Sequence, residues 1–142
     1  KDDHLFKNFS IQTLKKKPIF KIYGSKYNTK DGTCVRDFIH VSDIAEIHNK
    51  VLEQIDKKSI SKILNCGYGK GISVKQVVSE FKKYTNKKYK IIDMPNRKGD
   101  LIKIIALTNN LNKFIRWKPK FNNLKVMVKS SLNWEESLDN HK

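Results

Sequence analysis

Arginine is scarce in this chain. Of its 30 Lys plus Arg residues only Arg36, Arg97 and Arg116 are arginines, so a formal net charge of +16 is carried almost wholly by lysine. Lysine is a hydrated point charge, whereas arginine is the planar fork that grips phosphate with paired hydrogen bonds. A field of that size suits an anionic partner, nucleic acid first, because it condenses onto a phosphate backbone. Lysines spread through every segment, without aromatic interleaving or a recognition motif, instead fit a solvated surface, and no nucleic-acid partner is expected. Long apolar runs are lacking too: none approaches the roughly 20 residues that cross a bilayer. The opening Lys1-Asp2-Asp3-His4 has no signal-peptide layout. The expectation is a cytoplasmic chain with no membrane partner. Cysteine is limited to Cys34 and Cys66, too few for a disulfide framework and without metal-ligand spacing, which leaves free thiols and no metal site. What remains is ample for a core: 38% of the 142 residues are hydrophobic, a length that suits one compact domain.

Along the chain the apolar period switches repeatedly between the helical and the strand pattern. Leu5, Phe6, Phe9, Ile11 and Leu14 recur at helical spacing up to Lys15-Lys16-Lys17, cations suited to the negative end of a helix, and Pro18 stops it. Residues 19–23 alternate as a strand, and residues 35–41 read as strand or extended chain. Ser42 or Asp43 can cap a helix carrying Ile44, Ile47, Val51, Leu52 and Ile55. Residues 60–65 read as a further strand, Ser73 as the N-cap of a helix bearing Val77, Val78 and Phe81, and 90–93 as a strand closed by Pro95. Residues 101–107 are apolar and extended, followed by helices over about 109–115 and 123–138. There is no repeat, low-complexity linker or clean internal boundary, and the sum is one mixed α/β unit.

Three features could carry chemistry. Gly67, Gly69 and Gly71 lie between a strand and a helix, where a dinucleotide-binding turn would sit. Their spacing is G-x-G-x-G, however, and Asp93 is badly placed for the acidic partner, so the reading is a structural turn ahead of Ser73. Tyr84 and Lys88 satisfy Tyr-x-x-x-Lys, but a match arises easily among so many lysines, and these two sit where a helix runs out. The third feature is the run from Thr29-Lys30-Asp31-Gly32-Thr33-Cys34-Val35-Arg36-Asp37-Phe38 to Ile39-His40-Val41-Ser42-Asp43-Ile44-Ala45. An arginine embedded next to Val35 and Phe38 needs an anionic partner, either a ligand or a carboxylate such as Asp37, Asp43 or one on a helix.

That run closely resembles a signature of the UDP-glucose 4-epimerases, also called UDP-galactose 4-epimerases, within the extended short-chain dehydrogenase/reductase family. The resemblance extends in register over essentially the whole chain. It includes His4-Leu5, Ile22-Tyr23-Gly24-Ser25-Lys26-Tyr27, Leu64-Asn65-Cys66-Gly67-Tyr68-Gly69, Arg97-Lys98-Gly99-Asp100 and Trp117-Lys118-Pro119. The Asp-Gly-Thr-x-Val-Arg-Asp element favours the 4-epimerases over sibling dehydratases and decarboxylases.

The resemblance implies that Arg36 and Arg97 bind the diphosphate of a UDP-sugar substrate, that Asp100 takes the ribose hydroxyls, and that Tyr23, His4 and Leu5 line the uracil pocket. Two guanidinium forks suit a diphosphate, a carboxylate can accept from adjacent hydroxyls, and an aromatic can stack on a base. The family's Rossmann domain, its glycine-rich NAD turn and its catalytic Ser/Thr and Tyr-x-x-x-Lys are not found in this chain. The expectation is therefore the C-terminal, substrate-binding portion of an extended short-chain dehydrogenase/reductase, mixed α/β with the Rossmann core largely missing. Residues 1–142 would form one nucleotide-sugar-binding domain truncated at its N-terminal side. No catalytic, cofactor-binding or metal-binding residue is assigned within it. The parent enzyme is expected to interconvert UDP-glucose and UDP-galactose through a 4-keto sugar with bound NAD, as a homodimer, while this chain alone is inert. The alternatives are an epimerase of another nucleotide sugar such as UDP-N-acetylglucosamine and, from a different class, a basic nucleic-acid-binding module.

Overall fold

The computed structural model describes residues 4–58 and 61–139. Helix α1 (Leu5–Leu14) turns Phe9, Ser10 and Thr13 inward and ends before the three lysines and Pro18, a residue that cannot continue a helix. Strand β1 (Ile19–Tyr23) follows, and its alternation is sharp. Phe20 and Ile22 are fully buried, while Ile19, Lys21 and Tyr23 point to the opposite face. Period-two geometry thereby gives one short strand both a core face and a face free for a site.

Beyond β1 the regular elements are β2 (Val35–Arg36), α2 (Val41–Lys58), β3 (Ile72–Ser73), α3 (Val74–Thr85), β4 (Lys90–Met94), β5 (Lys103–Ile104), α4 (Asn109–Phe114) and α5 (Leu124–Asp139). Strand β1 pairs in parallel with β4, Ile19 opposite Lys90 and Tyr23 opposite Met94. A second sheet has the order β3-β2-β5, antiparallel between β2 and β3 and parallel between β2 and β5.

The main core lies where α1, α3, α5 and β1 meet. Phe9 and Phe20 stack at 4.0 Å, and Phe81 of α3 stands edge-on to both at 5.7 and 5.8 Å, with Val128 and Leu132 of α5 closing the cluster. Edge and offset contacts of this kind add to the area that three buried rings withdraw from water. A smaller cluster joins Ile47 of α2 to Leu111 of α4 and to Ile115.

Three expectations change. Helix α2 is capped by neither Ser42 nor Asp43: it starts at Val41, and the His40 ring Nδ1 accepts the Ser42 N–H at 3.1 Å. Of the strand expected over 60–65, Ile60 lies outside the described residues, and 61–66 pair with no strand among those described, with Ile63 94% exposed. The extended run 101–107 makes a ladder only at Lys103–Ile104.

The fold assignment also needs correction. The chain is a mixed α/β unit, as expected, but the expectation that the Rossmann core is largely missing from this C-terminal portion does not hold. Strands β1 and β4 run parallel, which requires a crossover connection, and α1 packs against β1. That arrangement looks like part of a Rossmann architecture. The absence of the family's glycine-rich NAD turn and catalytic motifs speaks to ligand and reaction chemistry and does not measure the sheet around them.

Candidate functional site

A cavity of about 690 Å³ opens between α1, the outward face of β1, β2 and the turn that carries Arg97 and Asp100. Its size falls within the range of small-molecule sites. His4, Leu5, Tyr23, Arg36, Arg97 and Asp100, the six residues singled out in the sequence, all line it. They come from four separate stretches. His4 and Leu5 stand at the start of α1, Tyr23 at the end of β1, Arg36 on β2, and Arg97 and Asp100 on a turn closed by the Asp100 N–H donating to the Arg97 carbonyl at 3.2 Å. Gly99 supports that turn at φ +79°, a conformation that glycine adopts without strain.

The Arg97 guanidinium lies over the Tyr23 ring, 4.1 Å from its centroid, a cation–π contact that gives an exposed side chain of the cavity wall a partner. Arg36 is partly buried. Its Nη1 donates to the Val35 carbonyl at 2.9 Å and its Nη2 pairs with the Asp100 carboxylate. The anionic partner that residue types pointed to is thus Asp100, which the parallel β2–β5 pairing brings alongside. Asp100 also accepts the Cys34 thiol at 3.5 Å. Burial, then the Asp100 charge, pushes the Cys34 thiol up, so it stays protonated and acts here as a weak donor.

Sequence reasoning missed other parts of the wall. Lys21 sits beside Tyr23 on the outward face of β1, and Asn8 and Gln12 continue the line of His4 along α1. Both follow from spacing, two residues along a strand and four along a helix.

The rest of the signature run has an architectural part. Asp31 takes the Thr33 N–H and hydroxyl on Oδ1 at 3.0 and 2.7 Å and the Ser73 hydroxyl on Oδ2, so it is fastened to the start of α3. Asp37 accepts the N–H groups of Tyr68, Gly69 and Ala106 at 3.0, 2.8 and 3.3 Å. Asp43, fully buried, accepts the Tyr68 hydroxyl at 2.5 Å and the N–H groups of Lys120 and Phe121 at 3.0 Å each. His40 stacks on Phe121 and shares a 2.9 Å hydrogen bond with Ser130 of α5. Burial alone would raise the Asp31 and Asp43 carboxyls, but the donors converging on each outweigh it and hold both below the usual range. Burial and the Asp43 carboxylate push the Tyr68 phenol well above its ordinary value.

These bonds decide the glycine turn. The Tyr68 and Gly69 amides that could cradle a pyrophosphate are spent on Asp37, and a side chain at Gly67 would run into Ala106 and Asp37. The turn does not fit NAD. Tyr84 and Lys88 fare no better as a pair, since α3 ends at Thr85, Asn86 turns left-handed at φ 51°, and Tyr84 packs against the core while Lys88 is exposed. Among the described residues no cluster of His, Cys, Asp or Glu is arranged to hold a metal ion, and no helix is long and apolar enough to cross a membrane.

The model of the NAD dependent epimerase/dehydratase family matches residues 1–67. A UDP-glucose 4-epimerase of Azospirillum brasilense is 36% identical over 136 residues, which are 96% of this chain and 39% of that protein. The chain belongs to the NAD dependent epimerase/dehydratase family. Two solved members agree with it in fold. The UDP-Glc/GlcNAc 4-epimerase of Campylobacter jejuni superposes with a TM-score of 0.85 at 36% identity, over 96% of this chain and 41% of that one. The UDP-glucose-4-epimerase of Stenotrophomonas maltophila, solved with NAD and formylated UDP-arabinopyranose, does so with a TM-score of 0.91 at 27% identity, over 99% and 41%. The chain therefore spans about two fifths of the length of these relatives. The family match over 1–67 takes in α1, β1, β2 and α2 and agrees with the corrected, Rossmann-type reading of the fold.

Proposed function

We propose that residues 1–142 act as one nucleotide-sugar-binding unit of a UDP-glucose 4-epimerase, with the 690 Å³ cavity as the UDP-sugar site. Arg36 and Arg97 hold the diphosphate, Asp100 accepts the ribose hydroxyls, and Tyr23 with His4 and Leu5 receives the uracil. The observation that most supports this reading is that the six residues, drawn from four stretches, share a single cavity. The chemistry suits the ligand: two guanidinium groups and Lys21 against one carboxylate leave the wall net cationic, as a diphosphate requires. For the whole protein the reading is interconversion of UDP-glucose and UDP-galactose with NAD as cofactor. This chain's own residues bind and orient the nucleotide, and none is assigned a proton or hydride transfer.

Calorimetric titration of UDP into the chain tests the reading. Arg36→Ala and Arg97→Ala should each weaken binding at least tenfold, the scale of a lost charge-assisted hydrogen bond. Unchanged affinity in both variants sinks it. A second reading, an epimerase of an N-acetylated UDP-sugar, draws support from the dual name of the Campylobacter jejuni relative. Comparing UDP-glucose with UDP-N-acetylglucosamine as ligands separates the two. Were nucleic acid the partner, affinity would fall gradually with any lysines removed and steeply with salt.

A further inference from the structure

We infer that Asp100 makes the cavity selective for diphosphates that carry a ribose. By neutralising Arg36 it turns away a bare diphosphate, and only a ligand whose adjacent hydroxyls engage the carboxylate gains the full grip of that guanidinium. The inference rests on the proposed reading of the cavity as a UDP-sugar site.

The two guanidinium groups of the cavity wall stand in different electrostatic states. Arg97 lies over the Tyr23 ring and, among the described residues, has no carboxylate partner. Arg36 is paired. Its Nη2 donates to Asp100 Oδ1 and its Nη1 to the Val35 carbonyl at 2.9 Å, and the two charged side chains are only 23% and 26% exposed. Solvent ions screen such a pair less than they would one on the open surface. An anion arriving at Arg36 therefore meets a cation whose charge is already cancelled, with a carboxylate of its own sign beside it. Both backbones are fixed: Arg36 lies on β2, which pairs with β5, and the Asp100 N–H closes its turn on the Arg97 carbonyl.

The carboxylate has room for further donors. An ionised carboxylate offers about four acceptor positions. Among the described residues Asp100 fills one on Oδ1 with Arg36 and one on Oδ2 with the Cys34 thiol, a weak donor at 3.5 Å. All three side chains line the cavity, so the open positions are within reach of a ligand there. Two adjacent ribose hydroxyls are donors of the right kind: they are uncharged, add no repulsion toward a phosphate, and draw the negative charge of Asp100 into new hydrogen bonds. As they bind, the hold of Asp100 on Arg36 weakens and the guanidinium turns to the diphosphate. Ribose and diphosphate thus bind with positive coupling through one ion pair.

Calorimetry on the full chain tests this with inorganic diphosphate, uridine and UDP. In the unaltered chain, saturating uridine should tighten inorganic diphosphate about tenfold, whereas dideoxyuridine, which lacks the two adjacent hydroxyls, should leave it unchanged. Asp100→Asn should bind inorganic diphosphate about tenfold tighter than the unaltered chain but UDP more weakly, and uridine should no longer help. Opposite signs for the two ligands are something a merely structural role would not produce. If uridine leaves diphosphate affinity unchanged while Arg36→Ala or Arg97→Ala weakens UDP binding, the selectivity role is overturned and the site reading stands. The inference is equally overturned if dideoxyuridine helps as much as uridine, or if Asp100→Asn weakens diphosphate and UDP alike. If Arg36→Ala and Arg97→Ala both bind UDP as the unaltered chain does, or the unaltered chain binds none, both readings fail.

Discussion

The buried carboxylate of Asp43 accepts the Tyr68 hydroxyl at 2.5 Å and so ties the first turn of α2 to the glycine turn. The same group receives the Lys120 and Phe121 N–H groups, which fixes the chain entering α5. Asp43→Ala orphans three donors at once and should cost about 3 kcal/mol or more, read as a lower urea midpoint at unchanged slope. Asp43→Asn keeps one acceptor oxygen and should lose less.

Stability should vary with pH on both sides of neutrality. The Asp31 and Asp43 carboxyls sit below their ordinary value in the fold. Their contribution is complete above the unfolded carboxyl value of about 3.9 and is lost as pH falls through the lowered folded values. The Tyr68 phenol is raised, so its contribution is complete below about 10 and is lost as pH climbs further. Thermal midpoints measured from pH 2 to 11 should be flat in the middle and fall at both ends, and Asp43→Asn should flatten the acid limb. Equal stability of the unaltered chain at pH 2 and pH 7 would contradict this.

Ser73 holds α3 in three ways. Its Oγ accepts the Gln76 N–H at 3.1 Å, its own N–H donates to Gln76 Oε1 at 2.8 Å, and its hydroxyl donates to Asp31. Ser73→Ala removes the capping oxygen and the Asp31 contact, at an expected cost of about 1–2 kcal/mol. Gln76→Ala breaks only the return half of the box and should cost less. Chemical denaturation of the two variants side by side checks the order.

Gly67 and Gly99 make a matched pair of substitutions. A methyl at Gly67 would meet Ala106 and the Asp37 carboxyl, whereas one at Gly99 meets nothing within 4 Å and pays only for a left-handed backbone at φ +79°. Gly99→Ala should cost about 1 kcal/mol. Gly67→Ala should lower the thermal midpoint further, because it pries Asp37 from the Tyr68 and Gly69 amides. Reversal of that order would mean that the turn is looser than its bonds indicate.

Much of the helical frame was legible in the sequence because its signals are local. The apolar period over 5–14 with its lysines and Pro18 found α1, and Ser73 with the valines after it found α3. Local signals failed where a partner lies far along the chain. Residue types show that Arg36 needs an anionic partner, a ligand or a carboxylate such as Asp37, Asp43 or one on a helix, but they do not single out Asp100, with which it pairs in the structure. Only a two-residue parallel ladder between β2 and β5 brings Asp100 near, and a ladder so short leaves no period to detect. Residue preferences for helix caps likewise passed over the His40 ring. An apolar run at Ile63 and Leu64 reads as a strand whether or not a ladder partner exists for it. The six cavity residues themselves were named through resemblance, since nothing in their spacing says that four stretches converge.

Asp31, Asp37 and Asp43 stand six residues apart and each grips remote segments, the last two meeting at Tyr68, while Arg36 is the one residue between them that combines a charge with the cavity wall. The aim of that guanidinium is therefore set by three anchorages, none of which lines the cavity. On the proposed reading of the cavity, loosening any one of them would blunt nucleotide affinity from a distance, so damage to the scaffold and damage to the site would present as the same defect.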